Sequence, residues 1–216
     1  MKKFILIATA LISFTSIHAQ DFKASLEKTF TAFDTSWDLQ KKVDQSNKLA
    51  LIAKKWDKEW SAHYYVAFSN AMLSFLEKDE NKRDAYLDEA DKEKDEAVHL
   101  LGKENDETYV LAAMIANGRL AVKPASRFQK YGKIFDDDLD KAKEMNPNNP
   151  RIYLLIGNSK FYKPKMFGGG KKPALPYYEK AAELYAKENV TDITIPHWGK
   201  NQNEFHLQEC KKEDKE

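Results

Sequence analysis

Residues 150–186 read PRIYLLIGNSKFYKPKMFGGGKKPALPYYEKAAELYA, and they are the most informative part of the chain for its fold. Two short helices are predicted in it, one on each side of a glycine-rich turn, because apolar and small residues recur at helical spacing. These positions are Tyr153, Ile156 and Gly157 on the first helix, and Ala174, Tyr178 and Ala181 on the second. A single helical hairpin cannot bury its apolar face alone. The stretch therefore predicts that more hairpins lie upstream.

The upstream sequence repeats this pattern. Tyr65, Tyr109 and Tyr153 lie 44 residues apart, and each opens a helix with small or apolar residues one turn later. Two further amphipathic helices precede them. Their apolar positions are Leu26, Phe30, Phe33 and Trp37, followed by Leu49, Ile52, Ala53, Trp56 and Trp60. We predict an all-α domain over 20–210, a right-handed superhelical stack of four hairpins whose first member (22–58) is degenerate.

The repeat is longer than the period of about 34 residues of common helical-hairpin repeats. The extra length is predicted to lie inside the hairpins, at Val122–Ile134 and at Pro164–Pro173. Equivalent turns line up along one edge of a stack, and insertions on one face are often the binding face. We therefore predict binding of a protein segment or another ligand at this edge or in the concave groove. The predicted contact residues are Arg127, Tyr131, Phe167, Gly168, Gly169 and Gly170.

Three segments carry a resemblance to a known family. They are KPASRFQKYG (123–132), NPNNPRIYLLIGNSKFYKPKMFGGGKKPALPYYEKA (146–181) and IPHWGKNQ (195–202). In these segments the chain resembles an exported tetratricopeptide-repeat-like family of Bacteroidetes, and the resemblance covers essentially the whole mature chain. It implies a tetratricopeptide-like fold and export, and it leaves the activity open. The tetratricopeptide superfamily implies a protein or peptide partner, with no catalytic residues to transfer.

The N-terminal residues 1–19 have the pattern of a secretory signal peptide. Lys2 and Lys3 precede the apolar run Phe4–Ile12, which is shorter than the roughly 20 residues that span a membrane. No cysteine lies directly after this apolar run, so a lipid anchor is not expected. We predict cleavage after Ala19 and export to the periplasm or beyond, without stable membrane insertion. The last residues, 211–216, form a charged tail.

Charge and cysteine content exclude several classes of function. Of the 35 basic residues, Lys2 and Lys3 lie in the signal segment, which leaves 33 against 34 acidic residues. This balance gives no electrostatic basis for binding nucleic acid or an anionic membrane. Cys210 is the only cysteine, so no internal disulfide can form. We interpret it as a frayed spectator thiol, with pairing between chains as the alternative.

The glycine run has a superficial likeness to a phosphate-binding loop. That loop needs two glycines five positions apart, followed by Lys and Ser or Thr. Lys165 occupies the first glycine position and Lys172 follows Lys171, so the motif fails at both ends. We interpret the glycines as a turn that needs positive φ or close backbone approach. The alternative is capture of an anion by the loop amides and the nearby lysines.

No other residues form a catalytic or metal-binding motif. Asp136–Asp138 and Asp140 lie in or before a helix, where successive side chains diverge, and are predicted to be solvated. The histidines after the signal segment are His63, His99, His197 and His206, and no pair has the spacing of a helical zinc site. His63 is predicted to pack in the core. We predict no enzymatic activity, no metal and no cofactor.

Two expectations concern the aromatic residues. Trp37, Trp56, Trp60, Tyr64, Tyr65 and Phe68 are predicted to be core, with lining of a groove as the alternative. Ile193–Gly199 is predicted to cap the stack, with Ile195 and Trp198 over the last hairpin, before a short final helix at 201–210. A closed, largely apolar pocket would instead favour a second function, that of a small-ligand-binding accessory protein of an envelope transport system. An enzyme would require converging ionisable groups of perturbed pKa.

Overall fold

The computed structural model describes residues 20–212, and this part of the chain is all α-helical. The predicted fold class is confirmed. The helices are α1 (20–34), α2 (Leu39–Lys55), α3 (Trp60–Leu76), α4 (Glu80–Leu101), α5 (Asp106–Val122), α6 (Pro124–Met145), α7 (Pro150–Tyr162), α8 (Lys171–Tyr185) and α9 (Lys200–Lys211), with a 3-10 turn at Lys165–Phe167. The predicted signal peptide and residues 213–216 of the predicted tail lie outside the described residues.

The helices pack as neighbouring antiparallel pairs. Helix α3 pairs with α4, α5 with α6, and α7 with α8, while α2 packs on α3 and α9 on α8. The first helices of these pairs begin at Trp60, Asp106 and Pro150, at spacings of 46 and then 44 residues. The spacing between successive hairpins is therefore not constant. Tyr65 lies deeper in its helix than Tyr109 and is fully buried, so the two tyrosines are not equivalent.

Short polar side chains explain where the helices begin. Asp38, Asp79 and Asn149 each cap the helix that follows by accepting a hydrogen bond from a backbone N–H of its first turn. Asn105 forms a capping box with Thr108. Gly102 ends α4 in the left-handed conformation, at φ 74°. These local signals give the chain its regular alternation of helix and short turn.

Helix α6 corrects the first of the two predicted insertions. The expected turn over Val122–Ile134 is wrong, because α6 runs without a break from Pro124 and only Lys123 separates it from α5. Proline at the first helical position has a suitable fixed φ and lacks an N–H that would be unpaired there anyway. The extra length of this hairpin therefore lies in a longer second helix. The segment Lys163–Gly170 between α7 and α8 is a true insertion.

The aromatic residues of the N-terminal half form most of the core. Phe30 of α1 packs on Tyr65 at a ring-centroid distance of 4.3 Å, and Phe33 packs on Phe68 at 6.3 Å. His63 is buried and pairs with Glu93 of α4 at 2.6 Å, as its predicted core position requires. Trp37 is the exception, because α1 ends before it and its side chain is 95% exposed.

Residues 188–199 form a segment that we call the strap. It leaves α8 and returns to α3, where Trp198 packs on Phe68 at 4.6 Å and donates its Nε1–H to Tyr64 Oη at 2.8 Å. Ile193 is buried, whereas Ile195, which was predicted to pack, is half exposed. The strap therefore covers the inner side of the first helices and does not merely cap the last hairpin.

A buried ion cluster lies beneath the strap. The Arg151 guanidinium of α7 contacts Glu107 of α5 at 2.7 Å and Glu188 of the strap at 2.8 Å. Tyr64 of α3 donates a hydrogen bond to Glu107 at 3.2 Å. Burial raises the pKa of the Glu107 carboxyl, and the Arg151 charge opposes that shift. The cluster therefore joins three first helices to the strap.

Candidate ligand-binding surface

The inserted turn between α7 and α8 has a backbone shape that only glycine tolerates. Gly168 has a φ of 79° and closes the 3-10 turn with an N–H bond to Lys165 O at 2.9 Å. A Cβ on Gly169 would lie 1.9 Å from the carbonyl oxygen of Lys163. Gly170 N–H bonds back to Lys160 O at 2.9 Å. These contacts support our interpretation of the glycine run as a shaped turn.

Aromatic rings from α7, α8 and α9 cluster beside this turn. His206 of α9 is stacked on Tyr178 of α8, with centroids 5.3 Å apart and planes at 15°. Phe161, Tyr162 and Phe205 surround the same imidazole at centroid distances of 5.0, 5.7 and 5.3 Å. The cluster joins the last three helices, which explains why α9 lies where it does.

The outer part of this cluster is open to solvent. Four large side chains on the cluster and the turn are more than half exposed: Tyr162 (69%), Met166 (82%), Phe167 (61%) and Phe205 (52%). We call these four residues the aromatic surface. Grouped exposed apolar side chains on a soluble protein are typical of an interaction site.

The buried His206 supports the aromatic surface from below. Its Nε2 lies 3.5 Å from Tyr162 Oη, and its Nδ1 is buried with no hydrogen-bond partner. Burial lowers the pKa of this imidazole, so the ring is neutral at pH 7. A neutral ring packs among aromatics without the cost of burying a charge. Burial also raises the pKa of the nearby Cys210 thiol, which disfavours the reactive thiolate.

The stretch of chain that contains the inserted turn carries charge of one sign. Residues 145–178 contain no aspartate or glutamate, although the whole chain is close to neutral. The five lysines of this stretch are Lys160, Lys163, Lys165, Lys171 and Lys172. Lysine side chains favour carboxylate or phosphate groups on a ligand. The surface is therefore suited to a molecule with a flat apolar body and anionic substituents.

The structure divides the predicted contact residues between separate features. Phe167 and Gly168–Gly170 form the inserted turn, next to the aromatic surface. Arg127 lies on α6 and binds both carboxylate oxygens of Asp84 of α4, at 2.6 and 2.8 Å. This bidentate pair ties two helices together, so Arg127 has a structural partner already.

Tyr131, the remaining predicted contact residue, lines a different feature. A cavity of about 410 Å³ lies between α4, α5 and α6, and Tyr131, Ala112 and Ile115 are among its lining residues. Charged side chains also line it, and among them Arg119 contacts Asp91 at 2.6 Å. The lining mixes both signs of charge, so it is less suited than the aromatic surface to an apolar anion.

The inner side of the stack was the other predicted binding site. On this side α3 contacts α1, through Phe30 on Tyr65, and the strap, through Trp198 on Phe68. Trp198 is 3% exposed. At α3, the chain itself therefore occupies part of the place where a peptide was expected to bind.

The acidic run of α6 was predicted to be solvated. Asp136, Asp137 and Asp140 are exposed, as predicted, whereas Asp138 is half-buried, with a side chain only 13% exposed that lies 3.6 Å from Lys141 Nζ. Among residues 20–212, no group of three acidic, histidine or cysteine side chains is arranged to hold a metal ion. None of the described helices has the length and apolar character needed to cross a bilayer. The predicted final helix is confirmed as α9.

Comparison with known proteins identifies a relative. No family model and no curated protein matches the chain. Among solved structures, it is similar to the HusA haemophore from Porphyromonas gingivalis, with 34% sequence identity and a TM-score of 0.73. The match covers 88% of this chain and 93% of that one. The chain belongs to the HusA family. Membership of a helical Bacteroidetes family is thereby confirmed, whereas the tetratricopeptide assignment stays a prediction.

Sequence reasoning missed four residues of this site, namely Tyr162, Met166, Phe205 and His206. Tyr162 and Phe205 were not linked to one site, because 43 residues separate them in the chain. His206 was considered only as a metal ligand. One signal was present in the sequence, namely the alternation of lysine and aromatic residues over 160–167 within an acid-free stretch.

Proposed function

We propose that this member of the HusA family is an exported carrier that binds a planar tetrapyrrole, such as haem, on the aromatic surface. The observation that carries the proposal is the group of four exposed apolar side chains next to an acid-free, lysine-rich turn. The relation to a haemophore supports the same ligand class. This proposal corresponds to the small-ligand accessory function that the sequence left as the alternative.

The chemistry of a tetrapyrrole fits this surface in two respects. Its macrocycle has flat apolar faces, and Phe167, Tyr162 and Phe205 offer rings on which such a face stacks. Haem carries two propionates on one side of the ring, and the lysines of the turn are placed to pair with them. Binding therefore needs both the rings and the lysines.

A role in binding a protein segment has less support. On the inner side of the helical stack, where such a segment was predicted, α3 is already in contact with α1 and the strap. We further propose that the protein is not an enzyme. Burial lowers the pKa of His206 and raises the pKa of Cys210, two groups that pack beneath the aromatic surface, so both favour the neutral form expected for packing groups.

Titration of the protein with haemin, followed by the Soret absorbance, tests the proposal. Phe167→Ala and Tyr162→Ala are each expected to weaken binding by about tenfold or more, because each removes roughly 1.5–3 kcal/mol of apolar burial. Phe128→Ala is the matched control, since Phe128 is similarly exposed (56%) but lies on α6. The proposal is wrong if the Phe128 variant loses as much affinity as the other two.

A second titration separates the rings from the lysines. Lys163→Gln combined with Lys172→Gln is expected to weaken binding of protoporphyrin IX but not of its dimethyl ester, which lacks the two carboxylates. Equal weakening of both ligands would contradict the assigned role of the lysines and leave the stacking surface as the only determinant.

A further inference from the structure

The exposed apolar side chains are concentrated at one edge of the molecule. We call the turn edge the side that contains the α1–α2, α3–α4, α5–α6 and α7–α8 turns. The large apolar side chains exposed there include Trp37, Leu39, Leu76, Phe128, Met166 and Phe167. Trp37 is the most exposed of them, at 95%. At the opposite ends of the helices, Leu51 and Met145 are exposed singly on α2 and α6.

The antiparallel pairing of the helices places these turns at the same end of the stack, where they form a border. Within the α1–α2 turn, Lys42 donates to Phe33 O at 2.6 Å. Lys123, between α5 and α6, pairs with Glu80 at the start of α4 at 3.1 Å. The Arg127–Asp84 pair joins α6 to α4 in the same region. The α3–α4 and α5–α6 turns are therefore direct neighbours on this border.

The carboxylates at this border are already engaged by the protein. Asp38 and Asp79 accept hydrogen bonds from helix N-terminal N–H groups at 2.7 and 2.9 Å. Glu80 pairs with Lys123, and Asp84 pairs with Arg127. The α7–α8 turn adds lysines and no acid. The border therefore combines apolar side chains with local positive charge that the neutral total charge of the chain conceals.

We propose that the turn edge docks on an anionic lipid surface. Tryptophan and phenylalanine side chains partition into the headgroup region of a bilayer, and lysines next to them are attracted by anionic lipids. The apolar side chains project from separate turns in a row. A bilayer accepts such separate projections because it deforms around each one, whereas a protein partner would need a matching cavity for each.

This docking inserts side chains and no helix, so it is compatible with the absence of a membrane-spanning helix among residues 20–212. The turn edge shares Met166, Phe167 and the lysines of the turn with the ligand-binding surface. Trp37 and Phe128 lie outside the aromatic surface, so their removal separates lipid docking from tetrapyrrole binding.

Co-sedimentation with vesicles tests the proposal on the protein purified after export. The vesicles are phosphatidylcholine mixed with phosphatidylglycerol, compared with phosphatidylcholine alone. The wild-type protein is expected to sediment with the anionic vesicles and to be released by salt. Trp37→Ser combined with Phe128→Ser is expected to weaken binding at least tenfold. Lys163→Gln and Lys172→Gln are each expected to weaken it about fivefold.

Leu51→Ser combined with Met145→Ser is the matched control, because it removes exposed apolar side chains from the other ends of the helices. This control is expected to bind vesicles like the wild type. The affinity of the Trp37/Phe128 variant for haemin is expected to equal that of the wild type, which would show that the variant is folded. The proposal is overturned if the wild-type protein does not bind anionic vesicles, or if the control variant loses as much vesicle binding as the Trp37/Phe128 variant. It is also overturned if the wild-type protein is a dimer and the Trp37/Phe128 variant is a monomer.

Discussion

Trp198→Ala is expected to lower the free energy of unfolding by about 3–5 kcal/mol, as for other large-to-small changes in a core. The indole is 3% exposed, packs on Phe68 at 4.6 Å, and donates a hydrogen bond to Tyr64 at 2.8 Å. Its loss leaves a cavity beneath the strap and removes the hydrogen bond that Tyr64 Oη accepts from the indole N–H. Urea denaturation followed by circular dichroism measures this difference.

Trp37→Ala is the control for this measurement. Trp37 is the same residue type but 95% exposed, so its removal is expected to change stability by less than about 0.5 kcal/mol. If the two variants unfolded at the same urea concentration as the wild type, the strap would not be part of the folded core. Trp198→Phe is expected to fall between Trp198→Ala and the wild type, because it retains a ring but not the donor.

Arg151→Met is expected to destabilise the protein by about 3–5 kcal/mol, the usual cost of leaving a buried charge without its partner. Glu107 and Glu188 would both lose the guanidinium that lies 2.7 and 2.8 Å from them. Glu107→Leu is expected to have an effect of the same sign. The double variant is expected to be more stable than the sum of the two single changes predicts, since it removes both charges.

A double-mutant cycle in urea checks the coupling between Arg151 and Glu107. Lys133→Met is the control, because Lys133 and Asp137 form an exposed pair on α6 at 2.5 Å. Such a pair contributes about 0.3–0.5 kcal/mol, so its loss is expected to be nearly silent. Additive effects of the Arg151 and Glu107 changes would show that the two side chains are not coupled.

The helical class and the hairpin pattern were predictable because they depend on local spacing. On α8, the side chains of Ala174, Tyr178 and Ala181 are buried in the core of the protein, as predicted. The error at 122–134 was also local: Pro124 was read as part of a turn, whereas it occupies the first position of α6. A proline at this point is compatible both with a turn and with the first position of a helix. Only the length of the helix that follows distinguishes the two.

The strap and the aromatic surface were not predictable, because each depends on contacts between distant residues. Trp198 bonds to Tyr64 across 134 residues, and nothing in the spacing of either segment indicates the other. His206 lies among Phe161, Tyr162 and Tyr178 only because the strap returns α9 to α8. The sequence predicted Phe167 and the glycine turn as contact residues but did not predict that these aromatic side chains lie beside them. Their role in binding stays a prediction.

Chemical-shift mapping with gallium protoporphyrin IX locates the tetrapyrrole on the protein. Gallium makes a diamagnetic substitute for haem, and the ring current of the macrocycle shifts the amide resonances closest to it. We expect the largest shifts at Tyr162, Phe167 and Phe205, and small shifts at Tyr131 of the cavity. Largest shifts around Tyr131, or on the strap near Trp198, would contradict the assignment of the ligand to the aromatic surface.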